Sequence, residues 1–337
     1  MKKLLALALT LVMVLSLSVT AFAAGNNQDA SVSVVFKLAN DDTISPEETF
    51  TFTFSNGTVT DAANDVSAPA ISPVTIKFSE GEASTTGVSK RVTVPLSGIA
   101  WPSVGIYTYD VNQTACSTAG VSYDNKTLKM KVTVALDENA GDDAKYYVAF
   151  VTTTIADGDG DGITDFKSGS FENTYSAGSL AVTKNVTGNM GDRNKYFDVK
   201  ITVSDGEDGE NYPDSYTVTG GSDASNHVTI AAGTETTFKF KDGDTINIAN
   251  LPYGVNYKVV ETDYSGEGYE TSYNVDNVNT DGAVVGSINE TVTITNHKGA
   301  VVDTGIALDS LPYVLLLAVS VVGMAAFVMK KRAEREF

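Results

Sequence analysis

The feature that most constrains the fold is a repeated alternation of short β-forming runs with turn residues across the centre of the chain. Runs such as Phe50-Thr51-Phe52-Thr53-Phe54 and Val132-Thr133-Val134 are separated by Gly, Asn, Asp and Ser, and helical periodicity is scarce. The pattern predicts an all-β protein. The length exceeds that of one β-sandwich, so we predict two sandwich domains, at residues 27–174 and 178–298, joined by a short flexible segment at 175–179.

Both ends of the chain differ from this centre. Residues 1–23 have the basic start, apolar body and small-residue site (Ala21-Phe22-Ala23) of a secretory signal peptide. Residues 301–337 hold a short motif, an apolar run at Leu311–Met329 and the basic tail Lys330-Lys331-Arg332, which is typical of a membrane span with its end on the cytoplasmic side. The body between them is therefore expected outside the cell.

The charge of this body excludes several functions. The whole chain carries −19, and because residues 1–23 are +2 and 305–337 are +1, residues 24–304 carry −22. Such a surface repels nucleic acid, since phosphate binding needs clustered Lys and Arg. The histidines His227 and His297 and the single cysteine Cys116 are too few for a His/Cys zinc site, a Ser-His-Asp triad or an intrachain disulfide. We therefore do not expect an enzyme with turnover.

An internal repeat links three positions in each half. The strand ending at Lys37 is interpreted as the counterpart of the strand ending at Lys184, and the strand carrying Gln113 as the counterpart of the one carrying Glu261. The lysine-to-Gln113 spacing is 76 residues and the lysine-to-Glu261 spacing is 77. Each half then closes with an asparagine-bearing strand, at Asn173 and Asn296.

Strand alternation predicts that Lys184, Glu261 and Asn296 all point inward. Burial disfavours the charged forms of lysine and glutamate, and a neutral amine is a nucleophile. Lys184 is then able to attack the carboxamide of Asn296 while Glu261 transfers protons, which yields a Lys–Asn amide and ammonia. The alternative is that the lysines are strand-end residues reaching solvent and that the asparagines merely end strands.

These residues resemble the two-domain major pilins of Gram-positive bacteria, whose tandem immunoglobulin-like (CnaB-like) sandwiches form intramolecular isopeptide bonds. The resemblance covers nearly the whole mature chain and is closest in 191–193 (Gly-Asp-Arg), 238–243 (Phe-Lys-Phe-Lys-Asp-Gly) and 251–255 (Leu-Pro-Tyr-Gly-Val). It implies that Lys184, Glu261 and Asn296 form one bond-forming set. It implies a second set at Lys37 and Asn173. There Gln113 replaces the family's acid, so the resemblance leaves open whether this bond forms.

The same resemblance implies processing by sortase. Val301-Val302-Asp303-Thr304-Gly305 is similar to the Leu-Pro-x-Thr-Gly signal, with cleavage expected between Thr304 and Gly305 and with Val302 in the place of proline. Lys167, six residues before Asn173, is the positional candidate for the lysine that joins successive subunits. The alternatives are a plain membrane-anchored ectodomain and, for Lys167, a solvated surface charge.

Two smaller features have competing interpretations. Asp157, Asp159 and Asp161 have the Asp-x-Asp-x-Asp-Gly spacing of a calcium loop, but Ser168 stands where a bidentate Glu is wanted, so a flexible acidic loop is the alternative. No other cofactor is expected. Cys116 is interpreted as a half-buried free thiol.

Together these observations predict a secreted structural protein of the Gram-positive cell wall, the shaft subunit of a sortase-assembled pilus. Its expected partners are sortase, further copies of itself, and peptidoglycan or other pilins, with the precursor held in the membrane. The alternative is a non-polymerised, wall-anchored adhesin built from the same domains.

Overall fold

The computed structural model describes most of residues 28–300. The described residues are 28–62, 65–114, 116–137, 145–155, 170–206, 209–275, 281–284, 289–300 and 317. Apart from one 3-10 turn at Ser265–Glu267, the regular elements among the described residues from 28 to 300 are strands. The all-β prediction is confirmed.

The first nine strands form two mainly antiparallel sheets that face each other. One sheet has the order β4-β1-β9-β6 and the other has the order β3-β2-β5-β7-β8. The strands are β1 Ala30–Leu38, β2 Glu48–Thr60, β3 Val74–Phe78, β4 Val88–Val94, β5 Gly105–Thr114, β6 Val121–Ser122, β7 Thr127–Asp137, β8 Lys145–Ile155 and β9 Ser170–Tyr175. The first and last of them, β1 and β9, are parallel neighbours.

The remaining ten strands form a second pair of sheets. Their orders are β13-β12-β15-β10-β19-β17 and β14-β11-β16-β18. The strands are β10 Ala177–Thr187, β11 Phe197–Ser204, β12 Ser215–Gly220, β13 Thr229–Ala231, β14 Thr236–Phe240, β15 Thr245–Pro252, β16 Asn256–Glu261, β17 Glu270–Val275, β18 Asp281–Val284 and β19 Asn289–His297. Here too the first and last strands, β10 and β19, are parallel neighbours.

Each pair of sheets encloses its own apolar core. Strand residues alternate between buried and partly exposed positions, as in β1 and β11, because successive side chains point to opposite faces. In the first half, the rings of Phe36, Phe50 and Phe78 pack edge to face with centroids 5.3–5.8 Å apart. In the second half, the core is mainly aliphatic, with Phe238 and Phe240 among the buried side chains.

The connection between the halves is ordered, so the expectation of a flexible joint at 175–179 is wrong. Only Ser176 separates β9 from β10, and its backbone is hydrogen-bonded to both halves, through Ser176 N to Gly120 O (2.8 Å) and Tyr253 N to Ser176 O (3.1 Å). Gly120 has φ +75°, and a Cβ there would lie 2.6 Å from the Ser176 carbonyl oxygen. The glycine therefore permits the close approach of the two segments.

Several predicted features lie outside the described residues. They are the signal peptide at 1–23, the aspartates Asp157, Asp159 and Asp161, Lys167, the Thr304–Gly305 motif and, apart from residue 317, the apolar run at 311–329. Within the described residues, no helix combines the length and the apolar character needed to cross a membrane.

Candidate functional site

The second half holds a buried lysine and a buried asparagine on neighbouring parallel strands. Lys184 of β10 is paired with Ile294 of β19, and Asn296 is paired with Val186. Lys184 and Asn296 are thus diagonal neighbours two rows apart, and the pleat places both on the inward face. Their exposed fractions are 1% and 0%.

Glu261 reaches the same place from the opposite sheet. It ends β16, is 6% exposed, and its Oε1 lies 3.3 Å from the Nζ of Lys184. The Nζ also donates to the carbonyl oxygens of Asn185 (3.3 Å) and Ile294 (3.4 Å). The structure therefore brings Lys184 and Glu261 into direct contact beside the strand that carries Asn296.

Aromatic side chains cover this end of the sandwich. The ring of Phe197 lies 4.7 Å from Lys184 Nζ and packs edge to face against Tyr264 and Tyr269, with centroids 5.0 and 5.2 Å away. Burial lowers the pKa of Lys184, and the neighbouring Glu261 carboxylate acts against this shift. The lowered pKa favours the neutral amine.

Three buried polar atoms at this site have no hydrogen-bond partner among the described residues. They are both polar side-chain atoms of Asn296, Nδ2 and Oδ1, and Oε1 of Glu261, whose one polar contact is the 3.3 Å ion pair with Lys184 Nζ. A buried polar group without a partner costs about 1–3 kcal/mol. Formation of a bond at the Asn296 carboxamide removes its amino group from the protein altogether, which gives this cluster a chemical rather than a packing rationale.

Two residues that sequence reasoning missed orient Glu261. Thr271 Oγ1 donates to Glu261 Oε2 at 3.0 Å, and the backbone N–H of Glu261 donates to the hydroxyl oxygen of Tyr273 at 2.8 Å. Both belong to β17, which pairs with β19 so that Thr271 lies opposite Asn296. The pairing of β17 with β19 follows no local motif, so only the tertiary structure reveals this contact.

The first half has an amide pair at the corresponding place. Gln113 Nε2 donates to Asn173 Oδ1 at 2.7 Å, and Asn173 Nδ2 donates to Gln113 Oε1 at 2.9 Å. The N–H of Asp124 adds a third hydrogen bond to Asn173 Oδ1 at 2.8 Å. The structure thus brings Gln113 and the fully buried Asn173 together.

Lys37 does not join them, which corrects the predicted Lys37–Asn173 set. In the parallel pairing of β1 with β9, Asn173 lies opposite Phe36, so Lys37 is on the other face of the sheet. Its side chain is 34% exposed and its Nζ is paired with Glu172 Oε2 at 2.7 Å. In the second half the lysine lies opposite the residue two positions before the asparagine, whereas Lys37 lies opposite Thr174, one position after Asn173. The strand pairing thus differs by three residues from the one that the repeat in the sequence suggested.

Cys116 is also placed differently from the prediction. It is a free thiol, as expected, but it is exposed rather than half-buried. Its Sγ lies 3.6 Å from the carbonyl oxygen of Thr49. No group of three or more potential metal-ligating side chains occurs in the described part of the chain.

Comparison with known families separates the same two halves. Residues 33–176 match the family "Spy0128-like isopeptide containing domain". Residues 178–298 match a family described as "Domain of unknown function (DUF7601)".

Two relatives and one solved structure from Streptococcus pyogenes resemble this chain. A protein named "Pilin" from Streptococcus pyogenes serotype M1 is 29% identical over 333 residues, covering 91% of this chain and 92% of that protein. The pilus tip adhesin Cpa of S. pyogenes is 33% identical over 132 residues, only 18% of its length. The crystal structure of the major pilin from S. pyogenes superposes with a TM-score of 0.55 at 23% identity, covering 82% of this chain and all of that one.

The fold and the buried Lys-Glu set define an all-β, CnaB-like two-sandwich protein. The matched domain family and the relative that spans almost the whole chain then indicate which family of such proteins this is. The chain belongs to the Gram-positive pilins.

Proposed function

We propose that this pilin is the repeating shaft subunit of a sortase-assembled cell-surface pilus, and that an intramolecular Lys184–Asn296 amide stabilises its second half. The observation that supports the cross-link is the buried Lys184–Glu261 pair beside an Asn296 carboxamide that has no hydrogen-bond partner among the described residues. A shaft subunit needs such reinforcement, because a thin fibre transmits the load on its tip through every subunit.

The proposed reaction balances without any added reagent. Lys184 gives a proton to Glu261 and becomes a neutral amine, and its Nζ attacks Cγ of Asn296. The new Nζ–Cγ bond forms, the Cγ–Nδ2 bond breaks, and Nδ2 leaves as ammonia after receiving a proton through Glu261. One proton remains, held on Glu261 or carried away as ammonium.

The surroundings of the three residues favour each step. The low-polarity cover of Phe197, Tyr264 and Tyr269 favours the neutral amine. Thr271 holds the Glu261 carboxylate through Oε2, which leaves Oε1 directed at the amine. The reaction is a single self-directed event, so the protein is not an enzyme with turnover.

Polymerisation is inferred from the sequence alone. Sortase is proposed to cleave between Thr304 and Gly305 and to join Thr304 to Lys167 of the next subunit, with peptidoglycan or another pilin as the final acceptor. Mature pilin is then located in the cell wall, and its precursor is held in the membrane by residues 301–337.

The cross-link is tested by the intact mass of recombinant residues 24–304. Each Lys–Asn bond expels one ammonia and lowers the mass by roughly 17 Da. We expect one such deficit in the wild type and none in the matched variants Lys184→Ala and Asn296→Ala. Well-folded wild-type protein with no deficit would refute the cross-link.

Polymerisation is tested separately on cell-wall extracts of the producing bacterium. A ladder of high-mass species on denaturing gels is expected from the wild type, and Lys167→Arg is expected to leave only the monomer. A single wild-type band would instead favour a non-polymerised adhesin.

That second candidate has one specific observation in its favour. Over 132 residues the chain is 33% identical to a pilus tip adhesin, a higher identity than its match to the pilin over the full length. The match covers 39% of this chain, however, whereas the pilin match covers 91%. The shaft role therefore has the broader support.

A further inference from the structure

The first half has an apolar residue at the position that carries the reactive lysine in the second half. Asn296 lies opposite Val186 on β10, and Lys184 is two residues earlier. Asn173 lies opposite Phe36 on β1, and the residue two positions earlier is Val34. Val34 is fully buried, so the place of the amine is filled by a side chain that has no nucleophile.

The other two members of the site also lack the chemistry for a bond. Gln113 and Asn173 hold each other by two reciprocal hydrogen bonds, and an amide nitrogen is not a nucleophile. Two lysines lie nearby, but each is held elsewhere by an acid at 2.7 Å, Lys37 by Glu172 and Lys126 by Asp124. Among the described residues of the first half, the buried polar side chains include no lysine.

The two halves are loaded in the same way when the chain is pulled from its ends. In the first half, the pull enters at the start of β1 and leaves at the end of β9, and these parallel strands share six paired rows from Ser33 to Leu38. In the second half, β10 and β19 share nine rows from Ser179 to Thr187. Parallel strands pulled at opposite ends are sheared along their whole ladder.

A covalent cross-link between two paired strands prevents this shear from separating them. The Lys184–Asn296 amide would join β10 directly to β19, so the 112 residues from 184 to 296 cannot be drawn out. Between β1 and β9 the contacts are hydrogen bonds and apolar packing, which break and form again. The rigid passage from β9 through Ser176 to β10 transmits the full load to both halves in series.

We propose that the first half carries no cross-link: when the chain is pulled from its two ends, the β1–β9 ladder opens and closes again, while the second half stays locked. The locked second half rests on the proposed function, since it requires the Lys184–Asn296 bond. Val34 and Gln113 are the residues that keep the first half unlinked and its unfolding reversible.

Peptide mapping and single-molecule pulling of residues 24–304 test this proposal. We expect a linked peptide for Lys184 and Asn296 only, and one unfolding event of roughly 50 nm, because about 146 residues extend by about 3.5 Å each. The event is expected to recur after relaxation. A linked peptide within the first half, or the absence of any event, would overturn the proposal.

The failure of the proposed cross-link gives a different result. Without the Lys184–Asn296 bond, the wild type would show two events and no linked peptide, as the Asn296→Ala variant is expected to do. In that case the extensible first half would stand and the locked second half would not.

The sharpest variant installs the missing chemistry as Val34→Lys with Gln113→Glu. We expect a second loss of roughly 17 Da and loss of the event of roughly 50 nm, because the 139 residues from 34 to 173 are then enclosed by the new bond. The controls are the two single substitutions, which keep the wild-type mass deficit. A double variant that folds, by the fluorescence of Trp101, yet keeps its ammonia and its extension would overturn the assignment of Val34 to the lysine position. If the double variant fails to fold, the peptide map and the pulling trace of the wild type decide whether the first half is unlinked.

Discussion

Replacement of Glu261 by Gln separates the proposed chemistry from packing, because the new side chain has nearly the same shape and cannot transfer a proton. The first half already carries this replacement naturally, at Gln113. We expect Glu261→Gln to fold with Lys184 and Asn296 in place but unlinked. Its mass, corrected for the substitution, should be higher than that of the wild type by roughly 17 Da.

The loss of stability can be calculated from the loop that the bond closes. A cross-link between Lys184 and Asn296 closes 112 residues, and the chain-entropy relation for disulfides gives about 5 kcal/mol for a loop of this length. For a domain of roughly 120 residues, each kcal/mol shifts the melting temperature by about 4 °C. The second half should therefore melt about 20 °C lower.

Differential scanning calorimetry of residues 24–304 is the appropriate assay, because it detects the transitions of both halves. Fluorescence of Trp101, the single tryptophan, assigns the transition of the first half, in which it is buried. Glu270→Gln on the exposed face of β17 is the matched control, and it should leave both mass and melting unchanged. A Glu261→Gln protein that still loses ammonia, or that melts like the wild type, would refute the assigned role of Glu261.

Three further predictions follow from contacts in the two sites. Gln113→Ala removes the acceptor of Asn173 Nδ2 and should destabilise the first half by about 1–3 kcal/mol, measured by denaturant titration of tryptophan fluorescence; an unchanged midpoint would contradict the amide pair. Thr271→Val removes the hydroxyl that orients the catalytic carboxylate and should slow bond formation about tenfold in a mass time course, whereas Thr271→Ser should restore the rate. In an Asn296→Ala background the lowered pKa of Lys184 means that the unfolded chain binds more protons than the folded one just below the ordinary lysine pKa of about 10.4. Stability should therefore rise with pH through that window, and Lys184→Met should abolish the rise; equal slopes in the two proteins would argue against a depressed lysine pKa.

Strand parity was sufficient to predict the inward face of the second half. In Leu180-Ala181-Val182-Thr183-Lys184, small or polar residues separate the larger apolar ones, so the alternation is readable and leads to a buried Lys184. In the first half, Val34, Val35 and Phe36 are all apolar, and the sequence does not reveal which of them face the core. The pairing of Phe36 with Asn173, a contact across 137 residues, decides the face and places Lys37 outside.

Glu261 was predictable from its repeat position, but its environment was not. Thr271 and Tyr273 reach it from a strand whose place in the sheet depends on β19, so no local pattern indicates them. The order of the joint at Ser176 likewise depends on hydrogen bonds to Gly120 and Tyr253, which are distant in sequence. Contacts of this kind are settled by long-range pairing rather than by local propensity.

The parallel pairing of β10 with β19 also sets the order of events during maturation. The two strands are the first and last of their half, so Lys184 and Asn296 meet only after every strand between them has been made and placed. The proposed Lys184–Asn296 bond would therefore form only in complete, correctly folded chains, and a chain that is truncated or misfolded in this half would not acquire it. Without the bond the second half of such a chain could still unfold, and an unfolded segment is open to proteolysis.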